Sequence, residues 1–409
     1  MPGPLTGYSV VEFADGLAGP FCAMQLGDGG MDVVKVEHPR GDRSRGWGSR
    51  AAGDLGATFL NLNRNKRSIA VDFGAPDGVE VVRRLVDAAD VVICDAGWTD
   101  AADLQPDAIL RRNPQAVVLC ISGFGAAGPW AGYPPYSELG AQMASEATKS
   151  LGVPGEAPVR IGNDNGAMFA AVHGFEAICA ALLAREDSGG QRIDVSPWGS
   201  LLAMRSTMWA ALTNPDEWWG FHLDSTTKPP DTGYHTRDGA ISFTAGGIPH
   251  ERRDELYQAF DMEWVKDDPL FKILDTDSAG GSSRYGWLVL PLWERVLANF
   301  TTAEVFEISD RLGLGQQTVK QDYEQLVNSP QARHVGLIAP VEHPGLGPVH
   351  EVTPPWEFSD TSAEIRRPAP RMGEHGTEIL AELRYSSTET ADLLARGAVV
   401  VTDVYSPPN

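Results

Sequence analysis

The sequence predicts an α/β protein whose larger domain is a doubly wound, mostly parallel β-sheet. Three observations lead to this fold class: short β-branched runs, helix-length segments between them, and turns rich in glycine and proline at their borders. Strands that alternate with helices pair in parallel, and the helices then cover both faces of the sheet. The chain has 409 residues, of which 42% are hydrophobic, and this length allows a large core and two domains.

The first three elements form a strand–helix–strand unit. Residues 9–13 are a β-branched run that ends in Ala-Asp-Gly, so they predict a buried strand with a sharp turn at its carboxyl end. Pro20 can open the next helix because its missing N–H would have had no partner there. Residues 33–36 supply the second strand. Such a unit binds ligands at its strand ends, near the amino terminus of the helix. Alternatively, the glycines of this segment only turn the chain.

Later segments continue the alternation of strands and helices. Strands are predicted at residues 67–73, 91–94 and 116–122, and helices at residues 76–88, 107–112, 138–149 and 166–185. In the last of these helices, large apolar residues recur at intervals of three and four, so they predict one buried stripe: Met168, Val172, Phe175, Cys179 and Leu182. Two further helices are predicted at residues 288–300 and 304–312, the second capped by Thr301 or Thr302.

Charge and cysteine usage exclude several classes of protein. The formal charge of −22 repels nucleic acids and anionic lipids, because both need a basic footprint. The chain has no apolar run of about 18 residues and no secretory signal, so we predict a cytoplasmic protein without a membrane segment. The four cysteines form no CxxC pair and lie in apolar runs, which predicts buried free thiols. Because no metal-ligand spacing occurs, we predict no metal site.

The chain contains a local basic cluster despite its negative net charge. Its first part contains Arg40, Arg43 and Arg45, and its second part is the segment Asn63-Arg64-Asn65-Lys66-Arg67. Guanidinium groups bind phosphates through two parallel hydrogen bonds, and lysine adds a point charge. The cluster therefore predicts a site for a nucleotide diphosphate. The alternative is a solvated basic face.

An ordered set of motifs extends over nearly the whole chain. They are Gly16-Leu17-Ala18-Gly19-Pro20, the segment 31–45, AALLARE followed by GQRIDVS, Tyr234-His235-Thr236-Arg237-Asp238-Gly239, and Gly373-Glu374-His375. In this order the motifs resemble those of class III CoA-transferases, the carnitine/formyl-CoA transferase (CaiB/BaiF) family.

This resemblance implies a fold, an assembly and a set of substrates. A Rossmann-like large domain would be formed by residues 1–205 and 335–409, with a smaller α+β domain and its linkers at residues 206–334. Two such chains would thread through one another as interlocked rings. The substrates would be an acyl-CoA and a carboxylic acid, with coenzyme A itself transferred. Its expected contacts are Gly19, Pro20, Arg40, Arg45, Asn65, Lys66 and Arg67.

The resemblance also implies a catalytic aspartate. In the family this carboxylate attacks the donor thioester to give a mixed anhydride, and the released CoA thiolate then forms an enzyme thioester. Counting back from Ala180-Ala181-Leu182, the expected position holds Ala167. The nearest carboxylate is Asp164, which serves either as the nucleophile or as the N-cap of the long helix. Gly246 and Gly247 form either a mobile lid over the thioester or a plain turn.

Two departures from the family pattern lead to alternative functions. Ala167 replaces the nucleophile, and the segment Cys94-Asp95-Ala96-Gly97-Trp98-Thr99 lacks the arginine that helps to hold CoA in the family. The first hypothesis is therefore a catalytically reduced subunit in a heteromer with a homologous subunit. The second is a self-sufficient enzyme that uses Asp164, for example as a homodimer. The others are a 2-methylacyl-CoA racemase, for which only His173 could stand in as the missing base, and a scaffold that has lost CoA.

Overall fold

The computed structural model describes residues 2–52, 55–96, 98–99, 101–133, 164–204, 234–244, 250–269, 286–318, 324 and 327–402. These residues form two compact units. Unit 1 takes its residues from Met1–Ser145, Gly162–Met204 and Pro330–Asn409, and unit 2 from Glu146–Ile161 and Arg205–Ser329. The domain borders predicted at residues 205 and 334 stay predictions.

The strands, in chain order, are β1 (Ser9–Glu12), β2 (Asp32–Glu37), β3 (Arg50–Ala52), β4 (Leu55–Gly56), β5 (Lys66–Val71), β6 (Val91–Asp95), β7 (Val117–Ile121), β8 (Gln191–Val195), β9 (Tyr234–His235), β10 (Ala240–Thr244), β11 (Gly315–Thr318), β12 (Ile338–His343), β13 (Gly347–Val352) and β14 (Val399–Val400).

The α-helices are α1 (Ala18–Asp28), α2 (Ala57–Leu62), α3 (Pro76–Ala88), α4 (Pro106–Arg112), α5 (Asn165–Ser188), α6 (Pro197–Met204), α7 (Arg253–Ala259), α8 (Gly286–Leu297), α9 (Thr302–Leu312), α10 (Pro330–His334), α11 (Gly376–Glu382) and α12 (Ser387–Ala395). Short 3-10 segments lie at Arg43–Gly46, Ala102–Leu104, His250–Arg252 and Glu263–Asp267.

Unit 1 is built on a seven-stranded sheet in the order β14-β5-β2-β1-β6-β7-β8. All neighbouring strands pair in parallel except β14, which is antiparallel to β5. Strand β1 has β2 on one side and β6 on the other, so the strand order reverses between β1 and β6. Ligands of doubly wound sheets bind at the carboxyl ends of the strands beside such a reversal. The predicted α/β class with a mostly parallel sheet is confirmed.

Helices cover both faces of this sheet. One buried cluster joins side chains of α3, α4, α11 and α12 to the strands, and the other joins those of α1 and α5 to the opposite face. Strands β6 and β7 are mostly apolar because both of their faces are buried, whereas β1, β2 and β5 also bury the charged side chains of Glu12, Lys35 and Lys66. Helices α11 and α12, which lie late in the chain, therefore complete the same core as the first strands.

Helix α5 buries a different face from the predicted one. Its buried residues are mostly small: Gly166, Ala167, Ala170, Ala171, Gly174, Ile178, Ala181 and Leu182. Of the predicted stripe only Leu182 is buried, and Val172 is exposed. A Cβ on Gly174 would lie 2.9 Å from Leu119 Cδ2 and 3.4 Å from Cys22 Sγ. The predicted stripe of large residues is wrong, because only small side chains allow α5 to approach β7 and α1 this closely.

Helix α5 also has the length and apolar composition of a membrane-spanning helix, with a mean hydropathy of 1.8. Only this helix meets both criteria in the part of the chain that the structure describes. The helix contacts α1, α6 and β8, and 39% of its apolar stretch is buried. A single helix of this kind is weak evidence for a membrane span.

Unit 2 contains the antiparallel sheet β11-β10-β9 and helices α7, α8 and α9 around one apolar cluster. Helix α9 begins at Thr302 and is capped by Thr301, whose side chain accepts from the backbone N–H of Glu304, while Glu304 accepts from the backbone N–H of Thr301. This reciprocal capping box confirms the predicted cap. Of the four cysteines, Cys22, Cys94 and Cys120 are buried free thiols as predicted, whereas Cys179 is only half buried.

Candidate functional site

A cavity of about 450 Å³ lies at the carboxyl ends of β1, β2 and β6. We call it the switch cavity, because it lies where the strand order reverses. Its walls come from the turns that follow these strands, and they include Asp15 after β1, His38 after β2 and Trp98 after β6. This is the edge of the sheet at which the sequence predicts a ligand.

Three aromatic rings form one wall of the switch cavity. Trp98 stacks on Phe13 with ring centroids 4.1 Å apart and an interplanar angle of 21°. Phe73 meets both rings edge-on, at 6.3 Å from Phe13 and 5.9 Å from Trp98. Aromatic walls of this kind suit a flat aromatic ring such as a nucleobase.

The floor of the cavity is a buried ion-pair network. Lys35 Nζ lies 3.0 Å from Glu12 Oε1 and 2.7 Å from Asp42 Oδ2, and all three side chains are at most 2% exposed. Burial alone would lower the pKa of Lys35, but the charges of Asp42 and Glu12 raise it above its usual range. Burial alone would raise the pKa of Asp42, but Lys35 lowers it. Lys35 and Asp42 are therefore both charged at neutral pH.

Asp15 stands out among the carboxyl groups of the cavity. Burial, and then the facing Asp42 carboxylate, raise its pKa to about 7, against the opposing charges of Lys35 and Arg43. Its side chain is 32% exposed and accepts from Arg43 Nε at 2.5 Å. No motif in the sequence points to this residue. Its position in the turn directly after the first strand was the available signal.

The predicted CoA contacts Arg45 and Lys66 point into the protein. Arg45 makes two 2.7 Å contacts with Glu37 and lies 3.6 Å from the centroid of the Phe59 ring. Lys66 Nζ lies 2.8 Å from Glu12 Oε2 and is fully buried. Burial lowers the pKa of Lys66 to about 8, against the opposing charge of Glu12. Within the described chain, both cations are thus engaged by carboxylates.

Asn65 and Arg67 also make internal contacts, which tie distant segments to β5. The Asn65 side chain accepts from the backbone N–H groups of Arg366 and Arg367 at 2.6 and 3.0 Å, and donates to Asp28 at 2.7 Å. Arg67 donates to Asp32 and, on α11, to Glu378 and Glu382. A role of these residues in CoA binding stays a prediction.

Arg40 differs from the other predicted cations because its side chain is exposed. Its backbone N–H donates to His38 Nδ1 at 3.1 Å. Arg40, His38 and Arg43 lie in the turn and 3-10 segment after β2, and His38 and Arg43 line the cavity. Arg40 and Arg43 are thus exposed cations at this edge of the sheet.

Gly19 and Pro20 position α1 rather than present side chains to a ligand. A Cβ on Gly19 would lie 2.0 Å from Ala14 Cβ, so only glycine lets α1 start this close to the end of β1. The carbonyl of Pro20 accepts from Lys66 Nζ at 2.8 Å. The predicted lid residues Gly246 and Gly247 lie outside the described residues.

Asp164 and Ala167 occupy different surroundings at the start of α5. Asp164 is half-buried, and its side chain makes no capping hydrogen bond to the helix. Ala167 is 7% exposed and packs in the core cluster with Ala14 and Ala18. The methyl group of Ala167 thus lies in the core.

The two ends of α5 lie at opposite edges of the sheet. Its last residue, Ser188, is followed closely by β8, which places the carboxyl end of the helix at the amino edge of the sheet. A 24-residue helix is about 36 Å long, so its first turn lies at the carboxyl edge. Asp164 and the switch cavity therefore belong to the same edge of unit 1.

Comparison with known proteins identifies the family. Residues 5–376 match CoA-transferase family III, so the chain belongs to this family. A human succinyl-CoA:glutarate CoA-transferase is 29% identical over 404 residues, which cover 97% of this chain and 90% of that protein. The subunit BbsE of succinyl-CoA:(R)-benzylsuccinate CoA-transferase from Thauera aromatica is 29% identical over 424 residues, which cover 96% of this chain and 97% of that subunit.

A solved structure shares the fold. The crystal structure of a CaiB/BaiF family protein from Brucella suis superposes with a TM-score of 0.76 at 26% identity, covering 94% of this chain and 100% of that one. The resemblance seen in the sequence motifs is confirmed. The names of the relatives support an enzyme that transfers CoA between acids and therefore uses CoA thioesters.

The described residues contain no group of three or more histidine, cysteine or acidic side chains arranged to hold a metal ion. The predicted absence of a metal site from the whole chain stays a prediction.

Proposed function

We propose that this chain is a cytoplasmic CoA-transferase that moves CoA between two carboxylic acids, with Asp164 as the nucleophile. The observation that carries the proposal is the contrast at the start of α5. Asp164 is half-buried at the carboxyl edge of the sheet without a capping hydrogen bond, whereas Ala167 is packed in the core. This contrast favours Asp164 over Ala167 as the position that meets a thioester.

The chemistry then proceeds in four steps. The Asp164 carboxylate attacks the thioester carbonyl of the donor, and the CoA thiolate leaves, which gives a mixed anhydride. The thiolate attacks the Asp164 carbonyl carbon and releases the donor acid, leaving an enzyme thioester. The acceptor carboxylate attacks this thioester and expels the thiolate. The thiolate finally attacks the acceptor's acyl carbon, so that the new acyl-CoA forms and Asp164 is regenerated.

The position of Asp164 suits these steps. Negative charge is stabilised at the amino terminus of a helix by the helix dipole, and α5 has 24 residues. Partial burial limits the water that would hydrolyse the anhydride. The switch cavity lies at the same edge, so we assign it to the nucleotide part of CoA. Its aromatic wall would hold the base, and Arg40, His38 and Arg43 would face the phosphates.

The test compares Asp164→Ala with Asp187→Ala, a change of an exposed aspartate near the other end of α5. With succinyl-CoA as donor and glutarate as acceptor, we expect Asp164→Ala to lower the turnover number at least about a thousandfold. Asp187→Ala should keep the activity. Hydroxylamine added during turnover should convert Asp164 to a hydroxamate, which peptide mass spectrometry locates. Full activity of Asp164→Ala would refute its role as the nucleophile.

A second candidate is a catalytically reduced subunit of a heteromeric CoA-transferase. Two observations favour it: Ala167 at the position expected from the family, and a relative, BbsE, that is named as a subunit of its enzyme. The purified chain would then show no CoA exchange until a homologous subunit is added. Both proposals are compatible with an assembly of interlocked rings, which is a homodimer in the first and a heteromer in the second. Native mass spectrometry of the complex isolated from its own cells would distinguish the two.

The racemase alternative is weakened by the geometry of α5. Asp164 and His173 are nine residues apart, so they project from opposite sides of the helix, about 13 Å apart along its axis. An acid and a base for racemisation must face one another across a single α-carbon. On one chain these two residues do not meet that requirement.

A further inference from the structure

Cys94 and Cys120 form a pair of thiols inside unit 1. Their Cα atoms are direct partners in the parallel register of β6 and β7, and both side chains belong to the apolar cluster on the α3 and α4 face of the sheet. The two Sγ atoms lie 3.6 Å apart in a hydrogen bond. Neighbouring strands are about 4.7–4.9 Å apart, and a disulfide joins Cα atoms about 4.4–6.8 Å apart. The backbone therefore already has the spacing that a disulfide needs.

We infer that Cys94 and Cys120 are a redox pair, which a peroxide converts to a disulfide, and that this disulfide alters the switch cavity. Disulfide formation does not depend on the proposed function, whereas its effect on CoA rests on the assignment of the cavity made there. A disulfide bond is about 2.05 Å long, so its formation brings the two sulfur atoms about 1.5 Å closer together.

The two thiols have different roles in this reaction. The hydrogen bond with Cys94, and then the charge of Arg192, lower the pKa of Cys120 against the effect of burial. The same hydrogen bond, and then burial, raise the pKa of Cys94. Cys120 is 5% exposed and Cys94 only 1%, so a small oxidant such as hydrogen peroxide meets Cys120 first. Because the thiolate is the nucleophile, Cys120 reacts with the peroxide and Cys94 then resolves the product.

The oxidation has two balanced steps. The Cys120 thiolate attacks one oxygen of hydrogen peroxide, the O–O bond breaks, and hydroxide leaves, which gives a sulfenic acid on Cys120. The Cys94 sulfur then attacks the Cys120 sulfur, so that the S–S bond forms and the S–O bond breaks. The released hydroxide ions take up the two thiol protons. In sum, two thiols and one peroxide molecule give one disulfide and two water molecules.

The same two strand ends carry part of the wall of the switch cavity. Cys94 is followed directly by Asp95, which lines the cavity and accepts from the backbone N–H of Asp15 at 2.9 Å. The next residue, Ala96, also lines the cavity, and its backbone N–H donates to the carbonyl of Ile121 on β7 at 2.7 Å. Protein interiors are closely packed, so a movement of Cys94 towards β7 displaces this wall instead of being absorbed locally.

The experiment uses the full-length variant Cys22→Ala/Cys179→Ala, in which Cys94 and Cys120 are the two remaining thiols of the four in the chain. After treatment with hydrogen peroxide, the unfolded chain should contain no thiol that reacts with an alkylating agent. Peptide mass spectrometry should find the two cysteine peptides joined by a disulfide, and dithiothreitol should restore both thiols. The wild type should give the same joined peptides. The matched control adds Cys120→Ala, which should leave Cys94 reduced.

The effect on the cavity is measured on the reduced and oxidised forms of the same variant. Oxidation should accelerate amide hydrogen exchange at Asp95 and Ala96, and calorimetry should show that CoA binds about five- to tenfold more weakly. In the Cys120→Ala control, peroxide should change neither quantity.

Two results would overturn the inference. One is that both thiols remain free after peroxide treatment, or that they join different chains. The other is a disulfide that forms within the chain but leaves both the exchange rates and the affinity for CoA unchanged. If the reduced protein did not bind CoA, the proposed function would fall, and the exchange rates at Asp95 and Ala96 would then decide the inference by themselves.

Discussion

Arg45 and Glu37 form a bidentate ion pair inside unit 1, with two N···O contacts of 2.7 Å and side chains at most 4% exposed. Glu37 also accepts from the Ser68 hydroxyl at 2.6 Å, and its pKa is lowered by Arg45 and Lys35 despite the opposing effect of burial. The pair thus links β2, the following 3-10 segment and β5.

We predict that Arg45→Gln destabilises the fold, because it removes the bidentate cation from the buried Glu37 carboxylate. The loss in the free energy of unfolding should be about 3–5 kcal/mol, measured by urea denaturation. Arg40→Gln, which changes an exposed side chain, should leave stability within about 0.5 kcal/mol. If Arg45 were mainly a phosphate ligand, its substitution would weaken CoA binding without this loss of stability.

Asn65 should hold the segment around Arg366 against β5. The backbone of Asn65 has a φ of 60°, and its side chain bridges Asp28 and the backbone N–H of Arg366. Asn65→Ala should cost about 2–4 kcal/mol, since it removes buried hydrogen bonds and strains a positive φ. Hydrogen exchange should accelerate at residues 364–367 more than in β7. Uniform exchange throughout unit 1 would contradict this local role.

Gly19 should tolerate no side chain. A Cβ there would lie 2.0 Å from Ala14 Cβ, so Gly19→Ala should force α1 away from β1 and lower the free energy of unfolding by about 3 kcal/mol or more. Gly46→Ala is the matched control, because a Cβ there meets nothing within 4 Å. Thermal melting of the two variants measures the difference. Equal melting temperatures would show that α1 can shift without penalty.

The raised pKa of Asp15 predicts a dependence of stability on pH. An aspartate in the unfolded chain titrates near 3.9, whereas Asp15 in the fold titrates at about 7. The folded protein therefore binds more protons between these values, and stability falls as pH rises from about 4 to 7. Relative to Asp15→Asn, the wild type should lose stability over this range. A constant difference between the two proteins from pH 4 to pH 8 would show that Asp15 does not titrate near neutrality.

The fold was largely predictable from local patterns, and the exceptions have physical reasons. The strand runs, Pro76 at the start of α3 and the Thr301 cap are each encoded within a few residues. The packing of α5 is not, because its small-residue face depends on how closely Leu119 and Cys22 approach Gly174. A periodicity of large residues carries no information about such contacts.

The candidate site was predictable in place but not in detail. The turn after β1 was expected to bind a ligand, and a cavity lies there. Charge alone predicts that the residues of the basic cluster bind phosphates. Their buried partners, such as Glu12 for Lys66 and Glu37 for Arg45, come from other strands and cannot be recognised from charge spacing.

Strand β14 has a consequence for how the protein is made. It covers the edge of β5 by pairing Val399 with Val71, about 330 residues later in the chain. Ribosomes add about 5–20 residues per second, so the edge of β5 stays unpaired for roughly 15 to 65 s before β14 is synthesised. During that time the uncovered edge of β5 is open to pairing with other nascent chains. Successful production should therefore depend on chaperones that shield β5 until translation ends.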